Sequence, residues 1–95
     1  MKKKLNLKSI RDQIDKIDDK ILPLVIKRSK LVNLALETKT KKSQIIDEKR
    51  INKILAKIEN KSKIAKANPN LIKTIWKSMI WNFIDFEKKE FKKRK

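Results

Sequence analysis

From Leu7 onward the apolar residues recur at alternating steps of three and four: Leu7, Ile10, Ile14, Ile17, Ile21, Leu24, Leu31 and Ala35. This is a heptad pattern kept over several repeats, and it predicts one long helix over roughly residues 6 to 40. At 1.5 Å per residue that helix runs about 50 Å, whereas a compact globule of this chain length is only roughly 30 Å across. A helix too long for its own domain predicts an intertwined helical homodimer. Pro23 falls inside it and removes a backbone hydrogen bond to Asp19, so a kink is expected there, on the outer face of the heptad.

The stretch TKKSQI, residues 40 to 45, breaks the pattern and reads as a loop. A second helix then begins with Asp47 as N-cap and buries Ile51, Ile54, Leu55 and Ile58. Asn68 and Pro69 suit the cap and first position of a third helix. That helix carries Ile72, Ile75, Trp76, Met79, Ile80, Phe83 and Ile84, and ends in a solvated basic tail at about 88–95. No strand pattern, repeat or second domain is visible. The expectation is an all-α fold of three helices, the first of them long, in a single domain over residues 1–95.

Composition narrows the chemistry. The 95 residues bury only a small core, which again argues for a partner chain. Histidine and cysteine are both absent, so disulfides, zinc sites and Ser-His catalysis are excluded, and neither a metal nor a cofactor is expected. The opening MKKK resembles the start of a leader, but LNLKSIRDQIDK after it is charged and amphipathic, not an apolar core. No run approaches the roughly twenty apolar residues of a membrane span. These features lead us to expect a soluble, cytoplasmic protein without membrane association.

A net charge of +17 raises nucleic acid or an anionic surface as partners. The lysines, however, are spread along the whole chain instead of gathering on one face, and with no glycine or tyrosine they fit a coding bias toward AT-rich codons. A basic helical dimer that binds nucleic acid or a partner protein stands as the alternative of another class.

Four arginines stand among twenty-four lysines, and charges interrupt the apolar stripes at a few places. Arg28 takes a heptad slot that Ile14 and Ile21 fill earlier and Ala35 fills later. A guanidinium there needs an anion, whether a ligand or an internal acid such as Asp18 or Glu37, unless it reaches solvent. Lys39 follows eleven residues later, within about 20° on the same helical face and about 16 Å further on. Arg11 lies about 25 Å before Arg28 and roughly 100° around the axis, so both can reach one small molecule only if they come from different chains. Its other reading is a solvated cation beside Asp15. Asp47 and Arg50 are neighbours on the first turn of the second helix, where they can line a site or simply pair with each other. Glu87, between Phe83 and Phe91, projects a carboxyl from an aromatic stripe, where burial favours the neutral, hydrogen-bond-donating acid. A plain helix-end glutamate near Lys88 is the competing description.

Together these positions carry a resemblance. LKSIRDQIDKIDDKILPLVIKRSKLVNLALETK is similar to the first helix of the all-helical (AroQ-type) chorismate mutases, with its Arg-x-x-Ile-Asp core followed by an Arg and a Lys at fixed distances. IIDEKR looks like the family's Asp-x-x-Arg at the start of helix two, and IWKSMIWNFIDFE like its closing helix. The resemblance implies a chorismate mutase, an isomerase that converts chorismate to prephenate in aromatic amino acid biosynthesis, acting as a homodimer with shared sites and no cofactor. It implies that Arg11 comes from the neighbouring subunit, that Arg28 holds a carboxylate, and that Lys39 meets a carboxylate and the ether oxygen. Asp47 would meet the ring hydroxyl, Arg50 would line the site, and Glu87 would face the ether oxygen from the other side. Ile51 and Phe83 stand where many members carry Glu and Ser. Apolar residues there resemble the isochorismate pyruvate-lyases of the same fold, which remain an alternative, whereas Asp47 points back to the mutases.

Overall fold

The computed structural model describes residues 5–94; the MKKK run and Lys95 lie outside the described residues. Three α-helices follow one another, α1 (Leu7–Glu37), α2 (Glu48–Ile64) and α3 (Pro69–Arg94), with a short 3₁₀ turn at Lys42–Gln44 between the first two. No strand occurs among the described residues.

Each helix starts where a short polar side chain satisfies an otherwise unpaired backbone donor. Asn6 Oδ1 accepts from the Ser9 N–H at 3.3 Å, Asp47 Oδ1 from the Arg50 N–H at 3.0 Å, and Asn68 Oδ1 from the Leu71 N–H at 3.1 Å. Pro69 occupies the first position of α3, where its missing N–H costs nothing. α1 continues through Pro23, which is exposed.

The end of α2 is less orthodox. The Ala67 N–H donates to the Ser62 carbonyl at 2.9 Å and the Lys66 N–H to the Lys63 carbonyl at 3.0 Å, the paired bonds of a Schellman cap. That cap needs a left-handed residue, and the chain, lacking glycine, uses Lys66 at φ 58°.

The chain forms two compact units, Met1–Leu31 and Val32–Lys95. In the first, the heptad stripe of α1 is open to solvent: Ile14 is 50% exposed, Ile17 54%, Ile21 47% and Leu24 67%. In the second, α2 packs along α3, and Leu36, Ile45, Leu55, Ile80 and Ile84 form the buried core, flanked by Ile46, Ile51, Ile54, Trp76 and Phe91.

One expectation is corrected here, at the end of α3, and one apolar residue of that helix faces solvent: Ile75 is 52% exposed. It lies five residues before Ile80, about 140° around the axis from the true core direction. The segment read as a solvated tail is helical through Arg94. Phe91 packs against the core, and Glu90 faces Lys93 and Arg94 at 3.7 Å each, so the charged run carries both an apolar anchor and helix-spaced ion pairs.

Candidate active site

α1 stops at Glu37, two residues short of Lys39, so the helical phase relation between Arg28 and Lys39 does not extend to that lysine. The chain tightens instead. The Thr38 N–H donates to the Ala35 carbonyl at 3.1 Å, the Lys39 N–H to the Leu36 carbonyl at 3.0 Å, and the Thr38 hydroxyl to Ala35 at 2.7 Å. Just beyond, Gln44 Oε1 accepts from the N–H groups of Thr40 and Lys41 at 2.7 and 3.0 Å. These bonds hold the backbone on both sides of Lys39 in one course.

So held, Lys39 Nζ donates to Glu87 Oε2 at 3.0 Å, joining residues 48 apart in sequence. Glu87 is only 6% exposed, although it carries a carboxyl, and the lysine side chain is 21% exposed. This is the geometry of a charge-assisted hydrogen bond. A carboxyl placed there with no partner would be strongly unfavourable, so the lysine is what makes its burial tolerable. Glu87 is therefore neither the solvated helix-end acid of the competing description nor a partner of Lys88.

The other candidates divide by unit. Within Val32–Lys95, Asp47 is engaged through Oδ1 with the backbone N–H of Arg50, and no ion pair among the described residues joins their side chains. Both are exposed, and Asp47 lines an open depression of about 540 Å³ with Ser43, Gln44, Ile46 and Glu48. Ile51 is half-buried against the core, and Phe83 is half-buried one turn before Glu87. Within Met1–Leu31, Arg28 is half-buried and Arg11 exposed. Arg11 makes no ion pair with Asp15 among the described residues.

Three features escaped the sequence reading. Gln44 pins the loop through a side-chain amide that has no recognisable spacing signal. Arg94 Nη2 donates to Asn33 Oδ1 at 2.6 Å, a contact between α3 and α1 across 61 residues. Glu59 on α2 meets Lys73 at 3.2 Å and Lys63 at 3.7 Å. The hydrogen bond and charge of Lys73, helped by Lys63, hold the Glu59 carboxyl below its ordinary value of 4.5. Buried Ser62 needs no ligand, since its hydroxyl donates to the Ile58 carbonyl at 2.7 Å.

Among the described residues no group of acidic side chains is placed to hold a metal ion, and no helix is long and apolar enough to cross a membrane. Within Val32–Lys95 the candidate residues are the Lys39 ammonium, the Arg50 guanidinium and the carboxyls of Asp47 and Glu87. Groups of these kinds can bind an anion and stabilise charge, and with no histidine or cysteine in the chain there is no nucleophile of the Ser-His or thiolate kind. Compared with known proteins, the chain matches the family model described as chorismate mutase type II over residues 10–88. No curated protein matches it.

Proposed function

The chain belongs to the chorismate mutase type II family and is an isomerase that converts chorismate to prephenate; from this premise we propose how its own residues carry the reaction. The conversion is a [3,3] pericyclic rearrangement. One C–O bond breaks as one C–C bond forms, and every atom stays in the molecule. No nucleophile, metal or base is required. The enzyme has to hold a dianion in its compact conformer and stabilise the negative charge that gathers on the ether oxygen.

The observation that carries this reading is the Lys39–Glu87 contact at 3.0 Å, with Glu87 almost fully buried. An ammonium and a carboxyl meeting at one protected point are suited to grip the ether oxygen from two sides, Lys39 by its charge and Glu87, once protonated, by an O–H. Arg28 and Arg11 take the two carboxylates, which a planar guanidinium grips bidentately as lysine does not. Asp47, with Oδ1 committed to the cap, turns its second oxygen to the ring hydroxyl, and Arg50 lines the site beside it. Ile51 and Phe83 supply apolar walls against the ring.

We further propose that the working form is a homodimer with Arg11 contributed across the interface. The exposed stripe of α1 supports it. Fully burying each such leucine or isoleucine contributes roughly 1.5–3 kcal/mol, a gain available only against another apolar surface. The family match runs across both compact units, which supports treating residues 1–95 as one domain. The place of action is the cytoplasm, and the product feeds aromatic amino acid synthesis.

The test is direct. Purified protein incubated with chorismate, without any added cofactor, should yield prephenate as the sole product. Apolar Ile51 and Phe83 carry the alternative reading, an isochorismate pyruvate-lyase of the same fold; pyruvate release from isochorismate at a higher kcat/KM than prephenate formation would assign the site to the lyase instead. For the dimer, mixing Arg11→Ala and Arg28→Ala chains should restore part of the activity, because one hybrid site keeps both cations. A fully active monomer would overturn the shared site.

A further inference from the structure

Building on the assignment of Lys39 and Glu87 to the site, we infer that Arg94 is a positioning residue that sets their geometry from the last turn of α3. Within the unit Val32–Lys95, the end of α1 and the end of α3 are fastened at two places. At one, Lys39 meets Glu87 at 3.0 Å; at the other, Asn33 Oδ1 accepts from Arg94 Nη2 at 2.6 Å. The pairing of 39 with 87 and 33 with 94 makes the two segments antiparallel. Between the two fastenings lie Leu36, 2% exposed, and Phe91, packed on the same core. Seven residues of α3 separate Glu87 from Arg94, about 10 Å of helix.

This arrangement gives Arg94 a task that neither its neighbours nor its charge alone explains. The last four carbonyls of a helix lack intrahelical partners, so a final turn frays unless something outside the helix holds it. Arg94 is held on both sides: its guanidinium faces Glu90 Oε2 at 3.7 Å while Nη2 reaches across to Asn33. A rigid fork can satisfy an acid on its own helix and an amide on the next, whereas a lysine ammonium at that site serves one or the other. With the fork in place, the two backbones that carry Lys39 and Glu87 keep a fixed separation. Without it, the last two turns of α3 move relative to α1, and the pair no longer closes on the ether oxygen at hydrogen-bond distance. The role is indirect, since Arg94 is already engaged with Asn33 and Glu90.

The experiment is a kinetic cycle on chorismate with wild type, Arg94→Ala, Arg94→Lys, Glu87→Ala and the Arg94→Ala/Glu87→Ala double variant, each checked for native far-UV circular dichroism. Arg94→Ala should lower kcat about tenfold with KM changed less than about twofold, because misplacement of catalytic groups acts on the reactive geometry more than on binding. Arg94→Lys should recover part of the loss. In the Glu87→Ala background, Arg94→Ala should have little further effect, since the Lys39–Glu87 pair whose spacing it sets is already broken. An equal loss in both backgrounds would make Arg94 a general structural residue and overturn the inference. A wild-type kcat for Arg94→Ala beside an impaired Glu87→Ala would overturn it alone. A fully active Glu87→Ala would instead remove Glu87 from the site, and the inference would fall with that assignment.

Discussion

Replacing Glu87 by glutamine changes almost nothing in shape and removes one charge at the most buried polar contact of the site. Two effects follow, of different size. In the free protein, Lys39 keeps an acceptor at 3.0 Å, but a neutral one. A hydrogen bond to a charged group contributes about 1.5–3 kcal/mol and a neutral one about 0.5–1.5 kcal/mol, so the variant should lose about 1 kcal/mol of stability. For a domain of this size that is a fall of roughly 4–8 °C in Tm. In the role proposed for it, the side chain at 87 gives a hydrogen bond to the ether oxygen, and the glutamine amide can give one too. Glu87→Gln should therefore keep most of its turnover, whereas Glu87→Ala leaves no donor there. Losing one donor to a developing oxyanion costs about a hundredfold or more, so kcat of Glu87→Ala should lie below that of Glu87→Gln by about that factor. The assay is chorismate consumption by wild type and both variants, with thermal unfolding followed on the same preparations. A wild-type kcat for Glu87→Ala, or a glutamine variant as impaired as the alanine one, would refute the role given to Glu87.

Arg28→Lys keeps the charge but loses the bidentate fork, and should cost about 3 kcal/mol in transition-state binding, or about a hundredfold in kcat/KM; near-normal steady-state kinetics would place Arg28 outside the site. Lys66→Gly relieves a left-handed backbone at φ 58°, and should raise stability by about 0.5–1 kcal/mol after the extra flexibility of unfolded glycine is subtracted, measured as a higher denaturant midpoint at unchanged m-value. Glu59 has its carboxyl held below the ordinary 4.5 by Lys73 and Lys63, so its contribution is complete above pH 4.5 and disappears as pH falls through its lowered folded-state value. Glu59→Gln should accordingly be less stable than wild type at neutral pH, with the difference closing in acid; a gap that stays constant in urea melts at pH 3 and pH 7 would contradict this.

What could be read from the sequence was whatever is encoded locally. The heptad of α1, the Asp47 cap and the Asn68-Pro69 start each depend on residues within a turn or two of one another, and each is found as expected. Glu87 stood out because a carboxyl broke an aromatic stripe. Its partnership with Lys39 could only be suggested by family resemblance, because 48 residues separate them and α1 ends before the lysine. The same holds for Asn33 and Arg94. The end of α3 was misjudged because a run of charges outweighed a single phenylalanine, although that one ring, packed on the core, decides which way the segment folds. Lys66 gave no warning either: the left-handed cap normally announces itself by glycine, and this chain has none. Whether the α1 stripe closes on a second chain depends on a surface that lies outside a single copy.

The distance in sequence between Lys39 and Glu87 also orders events in time. α2 and α3 are joined by only four residues and can find each other quickly as a local hairpin of helices. Bringing Lys39 to Glu87 closes a loop of 48 residues, whose entropic cost must be met before the contact returns anything. Folding should therefore lay down the hairpin first and assemble the Lys39–Glu87 contact last, and unfolding should run in reverse. With that pair in the role proposed for it, catalytic activity becomes the most sensitive gauge of the folded state: in a rising series of urea concentrations, turnover should disappear while most of the helical signal is still present.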